Sequence, residues 1–331
     1  MLQTMTEPVA RPIFSVVVPA YNEAEGIEAF HARLAAVMGA LGEPWEVVYV
    51  NDGSTDATLA LLRGLRARDA AVAVVNLSRN FGKEIATTAG LDHTTGEAVI
   101  VIDADLQDPP EVIPELVARW REGFDMVYAQ RREREGETWL KKATANWFYR
   151  LMAHTGRVRL PRNTGDFRLM SRRATDALLQ LREQHRFMKG LFAWIGYPSV
   201  AVFYDRAPRH AGSTKWNYWK LWNLALEGIT SFTVMPLKVA TYLGLAVAVF
   251  AFLFGVQIVI KTLLFGNPVA GYPSLLAVIL FLGGVQLMTL GVIGEYLGRV
   301  FNETKGRPLY FVERHEPARQ TSGQVAALPP A

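Results

Sequence analysis

Residues 13–129 alternate between short apolar runs and segments in which apolar residues recur every three or four positions. The clearest helical spacing is that of Ile27, Phe30, Leu34, Val37 and Leu41. The pattern predicts strands at 13–19, 45–51, 71–77, 98–103 and 125–129, and helices at 23–41, 56–68, 83–92 and 110–122. Asn22 is expected to cap the first helix, with Glu25 three residues on. Because strands and helices alternate, we expect an α/β fold with a mostly parallel, Rossmann-like sheet and helices on both faces.

Polar residues follow the predicted carboxyl ends of three of these strands. They form the sequences Ala-Tyr-Asn-Glu at 20–23, Asn-Asp-Gly-Ser at 51–54 and Asp-Ala-Asp at 103–105. Ligands of open α/β sheets bind outside the carboxyl ends of the strands. Three acidic loops at one sheet edge therefore predict a binding site there.

The loop at 103–105 has the donor atoms of a divalent-cation site. Carboxylates two residues apart on a strand point the same way, so Asp103 and Asp105 could bind one cation through oxygen. Gln107 could add another oxygen. A cation there would bridge the phosphates of a nucleoside diphosphate and neutralise the charge that builds on the leaving oxygens. The alternative is an acidic turn that only caps the helix at Pro110.

The other two loops suit a nucleotide. Tyr21 could stack on a base, Glu23 could approach the ribose or the base edge, and Asp52 could hydrogen-bond the base. A simple Asp-Gly turn with a Thr55 helix cap is the alternative for the second loop. That alternative explains Gly53 and Thr55, but not why a third acidic residue lies at this edge.

The C-terminal third of the chain is apolar. No charged residue occurs from 239 to 260, and after Lys261 none occurs before Glu295. Because ~20 helical residues cross a ~30 Å hydrocarbon core, membrane spans are predicted at 237–264 and 273–297. Two consecutive runs of this length disfavour buried helices of a soluble protein.

Basic residues predict how these spans are oriented. The connection 265–272 has neither Lys nor Arg, whereas basic residues flank the spans on their other sides. These are Lys215, Lys220 and Lys238 before the first span and Arg299, Lys305 and Arg307 after the second. The positive-inside rule then predicts a multi-pass protein of the cell inner membrane with both termini in the cytoplasm. The N-terminus has no apolar h-region, so no cleavable signal peptide is expected.

Two amphipathic stretches at 139–152 and 216–234 mix aromatic and basic residues, which suits the headgroup layer, although ordinary core packing is the alternative. The predicted organisation divides the chain into six parts. They are a flexible N-terminus (1–12), a cytoplasmic catalytic domain (13–212), an interfacial helix (213–236), two transmembrane helices (237–264 and 273–297) and a cytoplasmic tail (298–331) that is disordered after Glu313.

Composition narrows the function further. The net charge of +4 would suit binding to anionic lipid and phosphate. The sequence has no long basic stripe and no zinc-finger spacing, so nucleic acid is not expected as a partner. The chain has no cysteine, which excludes disulfides, cysteine nucleophiles and thiolate metal sites.

Four motifs together carry a resemblance to a known family. They are Val-Pro-Ala-Tyr-Asn-Glu (18–23), Asn-Asp-Gly-Ser-Thr-Asp (51–56), Asp-Ala-Asp-Leu-Gln-Asp-Pro-Pro-Glu (103–111) and Ala-Gly-Ser-Thr-Lys-Trp (211–216). Over about residues 13–312 the chain resembles the family 2 glycosyltransferases of GT-A fold. Within them it is similar to dolichol-phosphate mannose synthases and, through its two spans, more closely to the bacterial bactoprenol-phosphate glucosyltransferases.

The resemblance implies an inverting transfer of one hexose from a nucleotide-sugar to polyprenyl phosphate, with undecaprenyl phosphate as the expected lipid. UDP-glucose is the favoured donor; GDP-mannose and other UDP-sugars stay open, as does self-association. It implies that Pro19, Tyr21, Glu23, Asp52 and Asp103 hold the nucleotide, and that Asp103, Asp105 and Gln107 hold Mg²⁺ or Mn²⁺.

The remaining implied roles concern transfer. Asp105, Asp166 and Arg131 are the expected catalytic residues, and Arg131, Arg168 and Lys215 are expected at the acceptor phosphate. Asp166 is either a base or a positioning residue, because an acceptor phosphate is largely dianionic at pH 7 and needs no base. A buried Asp–Arg pair is the alternative for Asp166 and Arg168.

Three other functions fit the sequence less well. A nicotinamide enzyme would have G-x-G-x-x-G after the first strand, where residues 19–22 read Pro-Ala-Tyr-Asn. A processive polysaccharide synthase would have Gln-x-x-Arg-Trp and more spans, whereas Leu116 stands in the glutamine position before Arg119-Trp120. A non-enzymatic scaffold would not need three acidic loops on one edge.

Overall fold

The computed structural model describes residues 12–132, 164–184, 186–205, 235–265 and 271–319. The chain divides into two compact units. One comprises residues 1–150, 158–217 and 308–331, and the other comprises residues 151–157 and 218–307.

A single sheet organises the first unit. Within the described residues its strands are β1 (Phe14–Ala20), β2 (Trp45–Asn51), β3 (Val72–Leu77), β4 (Ala98–Val101), β5 (Met126–Arg131), β6 (Thr164–Ser171), β7 (Ser199–Tyr204) and β8 (Val312–Glu316). Their order is β7-β5-β6-β4-β1-β2-β3-β8. All of them run in one direction except β6 and β8, which are antiparallel to their neighbours. The predicted mostly parallel sheet is confirmed.

Helices cover both faces of the sheet. The helices of this unit are α1 (Ile27–Leu41), α2 (Thr58–Arg68), α3 (Lys83–Asp92), α4 (Ile113–Arg121), α5 (Arg172–Leu179) and α6 (Met188–Trp194). Apolar residues of α1, α2 and α4 form the larger core with one face of the sheet, and α3 packs on the other face. Burying each large apolar side chain stabilises the fold by about 1.5–3 kcal/mol.

Helix α3 lies close to the sheet because Gly90 has no side chain. A Cβ added at Gly90 would come within 2.3 Å of Val17 Cγ1 and 3.0 Å of Val50 Cγ2. Any larger residue would push α3 away from β1 and β2. The position of α3 matters because its first residue, Lys83, contacts two residues of the site described below.

Helix α3 has the predicted bounds, whereas α1, α2 and α4 start later than predicted. Helix α1 begins at Ile27 rather than at residue 23, so the predicted cap at Asn22 is wrong. Asn22 adopts a positive φ of 55° and its side chain bonds to another loop instead. Helix α2 begins at Thr58, and a 3₁₀ turn, Pro110–Val112, leads into α4.

Strand β8 corrects the expectation for the C-terminal tail. Residues 312–316 pair with β3, which would otherwise be the edge of the sheet. Glu313 Oε2 accepts a hydrogen bond of 2.6 Å from Asn76 Nδ2, and Arg63 Nε donates to Glu316 Oε1 at 3.0 Å. The expected disorder after Glu313 is therefore wrong for residues 314–319, because the open edge of β3 offers this segment backbone partners.

The second unit contains two long helices, α7 (Met235–Phe265) and α8 (Tyr272–Thr304). Their segments Val239–Gln257 and Phe281–Thr304, with mean hydropathies of 2.3 and 1.2, are long and apolar enough to cross a membrane. The amphipathic stretches 139–152 and 216–234, the N-terminus 1–11 and Lys215 lie outside the described residues.

Candidate active site

The loops that follow β1 and β2 are tied to each other. Asn22 Oδ1 accepts a hydrogen bond of 2.8 Å from the backbone N–H of Thr55, and the N–H of Asn22 donates to Ser54 Oγ at 3.0 Å. The N–H of Glu23 donates to Thr58 Oγ1 at 2.9 Å. Tyr21, on the same loop, leaves 46% of its surface exposed. The expected nucleotide residues Tyr21, Glu23 and Asp52 thus lie on two joined loops at the carboxyl edge. Pro19 lies inside β1, and Asp103 lies on the loop after β4.

Asp52 fixes a third loop, the one that leads into α3. Its Oδ1 accepts from the N–H of Phe81 at 2.7 Å, and its Oδ2 accepts from the N–H of Gly82 at 2.9 Å. Burial raises the pKa of Asp52, and these two N–H donors oppose the rise. Asp52 therefore also has a structural role, holding the loop before α3, that the sequence did not indicate.

Gly53 is required where these loops meet. Its φ is +64°, and an added Cβ would lie 2.4 Å from the backbone nitrogen of Asn80. Only glycine allows both this conformation and this approach. The loop bearing Asp52 and the loop 79–82 therefore pack backbone against backbone.

Lys83 joins two carboxylates that are far apart in sequence. Its Nζ lies 2.6 Å from Asp103 Oδ2 and 2.8 Å from Asp166 Oδ2. Asp103 follows β4, and Asp166 lies near the start of β6. Because β6 is antiparallel to β4, its start lies at the carboxyl edge of β4. The sheet topology thus brings Asp166 to the acidic loop.

The charges of these three groups depend on one another. Burial raises the pKa of Asp103, and Lys83 only partly opposes it. Burial also acts to raise the pKa of Asp166, but the Lys83 ammonium outweighs it and lowers that pKa to about 2. Burial acts to lower the pKa of Lys83, and the two carboxylates outweigh it, so this pKa is raised. Asp166 and Lys83 are therefore both charged at pH 7.

The loop after β4 is tightly folded. Asp105 Oδ1 accepts from the N–H of Gln107 at 3.1 Å, and between them Leu106 has a positive φ of 59°. A leucine in that region is an outlier, which is common at ligand sites. Asp103 Oδ1 is buried and has no hydrogen-bond partner in the described part of the chain.

Arg131 occupies the end of β5 on the other side of this loop. Its Nε donates to the Tyr204 hydroxyl at 3.2 Å, and that hydroxyl donates to Asp108 Oδ1. Burial acts to lower the pKa of Arg131, but Tyr204 and Asp108 raise it. A Cβ added at Gly165 would lie 3.1 Å from Arg131 Nη2, so Gly165 leaves room for the guanidinium.

Arg168, which was expected at the acceptor phosphate, bonds to backbone carbonyls in this structure. Its side chain is buried, with Nη2 donating to the carbonyl of Gly165 at 2.9 Å and Nε to the carbonyl of Asp166 at 3.2 Å. Its guanidinium carbon lies 3.5 Å from the centre of the Phe192 ring. Burial lowers the pKa of Arg168 to about 10. Arg168 thus holds the backbone of 165–166 in place, and the Asp166 carboxylate pairs with Lys83 instead.

Lys83 and Lys189 are the residues of this cluster that the sequence analysis missed. Lys189, on α6, is partly buried; burial lowers its pKa, Asp166 raises it, and Arg131, Lys83 and Arg168 lower it further. Its signal in the sequence is a single cation in the otherwise uncharged Met188–Trp194. For Lys83 the only signal was its place at a predicted helix start.

Comparison with known proteins gives two matches to families. Residues 15–179 match the family described as glycosyl transferase family 2, and residues 235–300 match the GtrB C-terminal hairpin. An uncharacterized glycosyltransferase of Synechocystis sp. is 55% identical over 90% of this chain and 94% of its own.

A bactoprenol glucosyl transferase of Shigella phage SfX is 51% identical over 90% of this chain and 98% of its own. Among solved structures, a glucosyl-3-phosphoglycerate synthase from Mycobacterium tuberculosis in complex with Mn²⁺, UDP-glucose and phosphoglyceric acid is 22% identical. It covers 65% of this chain and 76% of its own with a TM-score of 0.43, a likeness too low to inform the substrate.

Proposed function

The chain belongs to the family 2 glycosyltransferases, and on this premise we propose that it transfers one hexose from a nucleotide-sugar to polyprenyl phosphate. The proposed donor is UDP-glucose, and the proposed acceptor is undecaprenyl phosphate. The observation that carries this choice is 51% identity, over nearly the full length of both chains, to a relative named bactoprenol glucosyl transferase. The product is a polyprenyl-phosphate sugar that serves as a donor for glycosylation in the cell envelope.

The two joined loops are the proposed nucleotide site. Pro19 and Tyr21 lie on the β1 side, with Tyr21 exposed for stacking on the base. Glu23 is the residue proposed to approach the ribose or the base edge. Asp52 uses both oxygens to hold the loop 81–82, and each oxygen has a second lone pair for the base.

The donor atoms of the acidic loop fit a divalent cation. Asp103 Oδ1 is a buried carboxylate oxygen without a partner among the described residues, which is costly unless a cation binds it. Asp103, Asp105 and Gln107 are the residues proposed to hold Mg²⁺ or Mn²⁺. The described residues contain no group of three or more His, Cys, Asp or Glu suited to a metal. Mg²⁺ commonly takes one or two carboxylates with substrate phosphates and water. The ion would neutralise charge on the departing diphosphate.

The cations around Asp166 are the proposed phosphate site. Arg131 and Lys189 supply positive charge beside the acidic loop, and Lys215 retains the role implied by its motif. An oxygen of the acceptor phosphate attacks the anomeric carbon while the bond from that carbon to the diphosphate breaks. A single displacement inverts the configuration. Asp166 positions the cations, and Arg168 holds the backbone beneath it.

A lipid acceptor agrees with the apolar helices α7 and α8. Both are long and apolar enough to cross a membrane, and basic residues flank the predicted spans away from the connecting loop. We place both termini and the catalytic unit in the cytoplasm, where nucleotide-sugars are made.

A panel of donors tests this function. The purified full-length protein receives undecaprenyl phosphate, Mg²⁺ and, in separate reactions, UDP-glucose, UDP-galactose, UDP-N-acetylglucosamine or GDP-mannose. We expect a glycolipid with UDP-glucose, identified by its mass. A glycolipid formed only with another donor would overturn the choice of glucose. No glycolipid with any donor would overturn the function.

A further inference from the structure

Lys83 occupies the place between Asp103 and Asp166, beside the proposed metal site. We propose that Lys83 is a built-in counter-ion of the metal-free site, which leaves Asp103 when the divalent cation and the donor diphosphate bind together. Lys83 is in this sense a positioning residue that makes metal affinity depend on the nucleotide. The inference rests on the proposed function, since it takes a nucleoside diphosphate as the ligand.

The ion pair leaves one carboxylate oxygen of Asp103 without a partner in the described residues. Lys83 Nζ contacts Oδ2 of Asp103, whereas Oδ1 is buried without a hydrogen-bond partner in the described residues. A pair built only to stabilise the fold would satisfy the buried oxygens, because each unsatisfied one costs about 1–3 kcal/mol. The carboxylate is thus held ready for a second cation.

The lysine side chain is the most exposed of the three charged groups. The Lys83 side chain is 46% exposed, whereas the side chains of Asp103 and Asp166 are 23% and 20% exposed. The backbone before it is fixed, because Asp52 accepts the N–H groups of residues 81 and 82. The four-carbon stem of lysine can therefore swing toward solvent or a ligand without repacking α3.

The charges of the site also favour joint binding of the metal and the nucleotide. Without a cation, Asp103 and Asp166 would repel each other across a site that excludes much water. A divalent cation that arrives alone must displace the ammonium from Asp103 and leave it with Asp166 as its one remaining carboxylate partner among the described ion pairs. A diphosphate that arrives with the cation gives the displaced ammonium a new anionic partner. Metal and nucleotide should therefore bind cooperatively, and coupling of this kind commonly amounts to about 5–150-fold.

Manganese binding separates this role from a structural one. The affinity of the full-length protein for Mn²⁺ is measured by electron paramagnetic resonance, with and without UDP, for wild type, Lys83→Met, Lys83→Arg and Lys189→Met. Lys189→Met is the matched control, because it removes one cation of the cluster while no described ion pair joins Lys189 to Asp103 or Asp166.

We expect Lys83→Met to bind Mn²⁺ alone about tenfold more tightly than wild type and to gain less from UDP. Lys83→Arg should keep the weak binding and the dependence on UDP, since the charge remains. Lys189→Met should change the affinity for Mn²⁺ alone by a smaller factor. A purely structural lysine predicts weaker Mn²⁺ binding in Lys83→Met, because its loss would disorder the loop.

Unchanged or weaker Mn²⁺ binding by Lys83→Met would overturn the inference, as would an equal gain in Lys189→Met. No Mn²⁺ binding by any of the proteins, with or without UDP, would also overturn it. Glycolipid formation by the wild type reports separately on the proposed function. The inference can thus fail while the function stands.

Discussion

Replacing Asp166 by asparagine tests whether this residue is a base. The amide keeps the size of the carboxylate and can still accept a hydrogen bond from Lys83, whose Nζ lies 2.8 Å from Asp166 Oδ2. The fold should therefore survive, and only the charge and the basicity are lost. If Asp166 positions the cations, turnover falls because the acceptor phosphate is held less accurately.

The pKa values of Asp166 and of the acceptor phosphate decide how much a base at this position could contribute to the rate. Lys83 lowers the pKa of Asp166 to about 2, against burial, which acts to raise it. The second pKa of a phosphate monoester is ~6. Moving a proton from the phosphate monoanion to Asp166 thus crosses about 4 pKa units, or about 5 kcal/mol uphill. The phosphate dianion is already present at pH 7, so the enzyme gains little from this base. Misplacement by about 1 Å can still cost about 10²-fold in rate.

The assay is the initial rate of glycolipid formation between pH 5 and 9 for wild type and Asp166→Asn. Both rates should fall on the acid side as the acceptor phosphate becomes protonated near pH ~6. The reasoning is refuted if the rate of the variant keeps rising far above that pH, or if small external bases rescue it. Either result would identify Asp166 as a general base, with the loss of about 10²–10⁴-fold usual for one.

Three further predictions concern other parts of the molecule. Asp105→Ala should lose nearly all turnover without a change in melting temperature. A chelator should abolish the activity of the wild type, and added Mg²⁺ or Mn²⁺ should restore it. Full activity in Asp105→Ala would contradict the proposed metal site. Gly53→Ala should lower the melting temperature and weaken UDP binding, because a positive φ of 64° costs an alanine about 1–2 kcal/mol and its Cβ would meet a backbone nitrogen at 2.4 Å. Gly42→Ala is the matched control, with a φ of +71° but open space around the added Cβ, and equal losses in the two variants would contradict the close approach. An Asn267→Cys variant of this cysteine-free chain should react with an impermeant thiol reagent outside intact cells, whereas Thr304→Cys should not, and the reverse pattern would overturn the orientation.

The central strands were predictable because each is a short, mostly apolar run in the sequence. Strand β2 has the predicted bounds, β1 begins and ends one residue later than predicted, and β3 begins one residue later. Strands β6, β7 and β8 were not predicted, and for β6 and β8 there is a physical reason. β6 carries Asp166 and Arg168 inside the strand, where carbonyls and Phe192 satisfy the arginine. β8 is polar and joins the sheet only through a partner more than 200 residues away in sequence.

The candidate site was predictable only as far as parallel strands place their ends together. That rule placed Asp52 and Asp103 at one edge. It could not pair Lys83 with Asp166, because this contact depends on an antiparallel strand that the pattern did not reveal. Nor could it show that the Arg168 side chain is buried and donates to the carbonyl of Gly165.

The most direct test of the account is whether a phosphate oxygen of the lipid receives the sugar. The purified protein is given UDP-glucose and Mg²⁺ with either undecaprenyl phosphate or undecaprenol, and the products are analysed by mass and by phosphorus NMR. The account predicts one hexose joined through a phosphodiester, with inverted configuration, and no product from undecaprenol. Equal glycosylation of undecaprenol, or addition of several hexoses to one lipid, would contradict it.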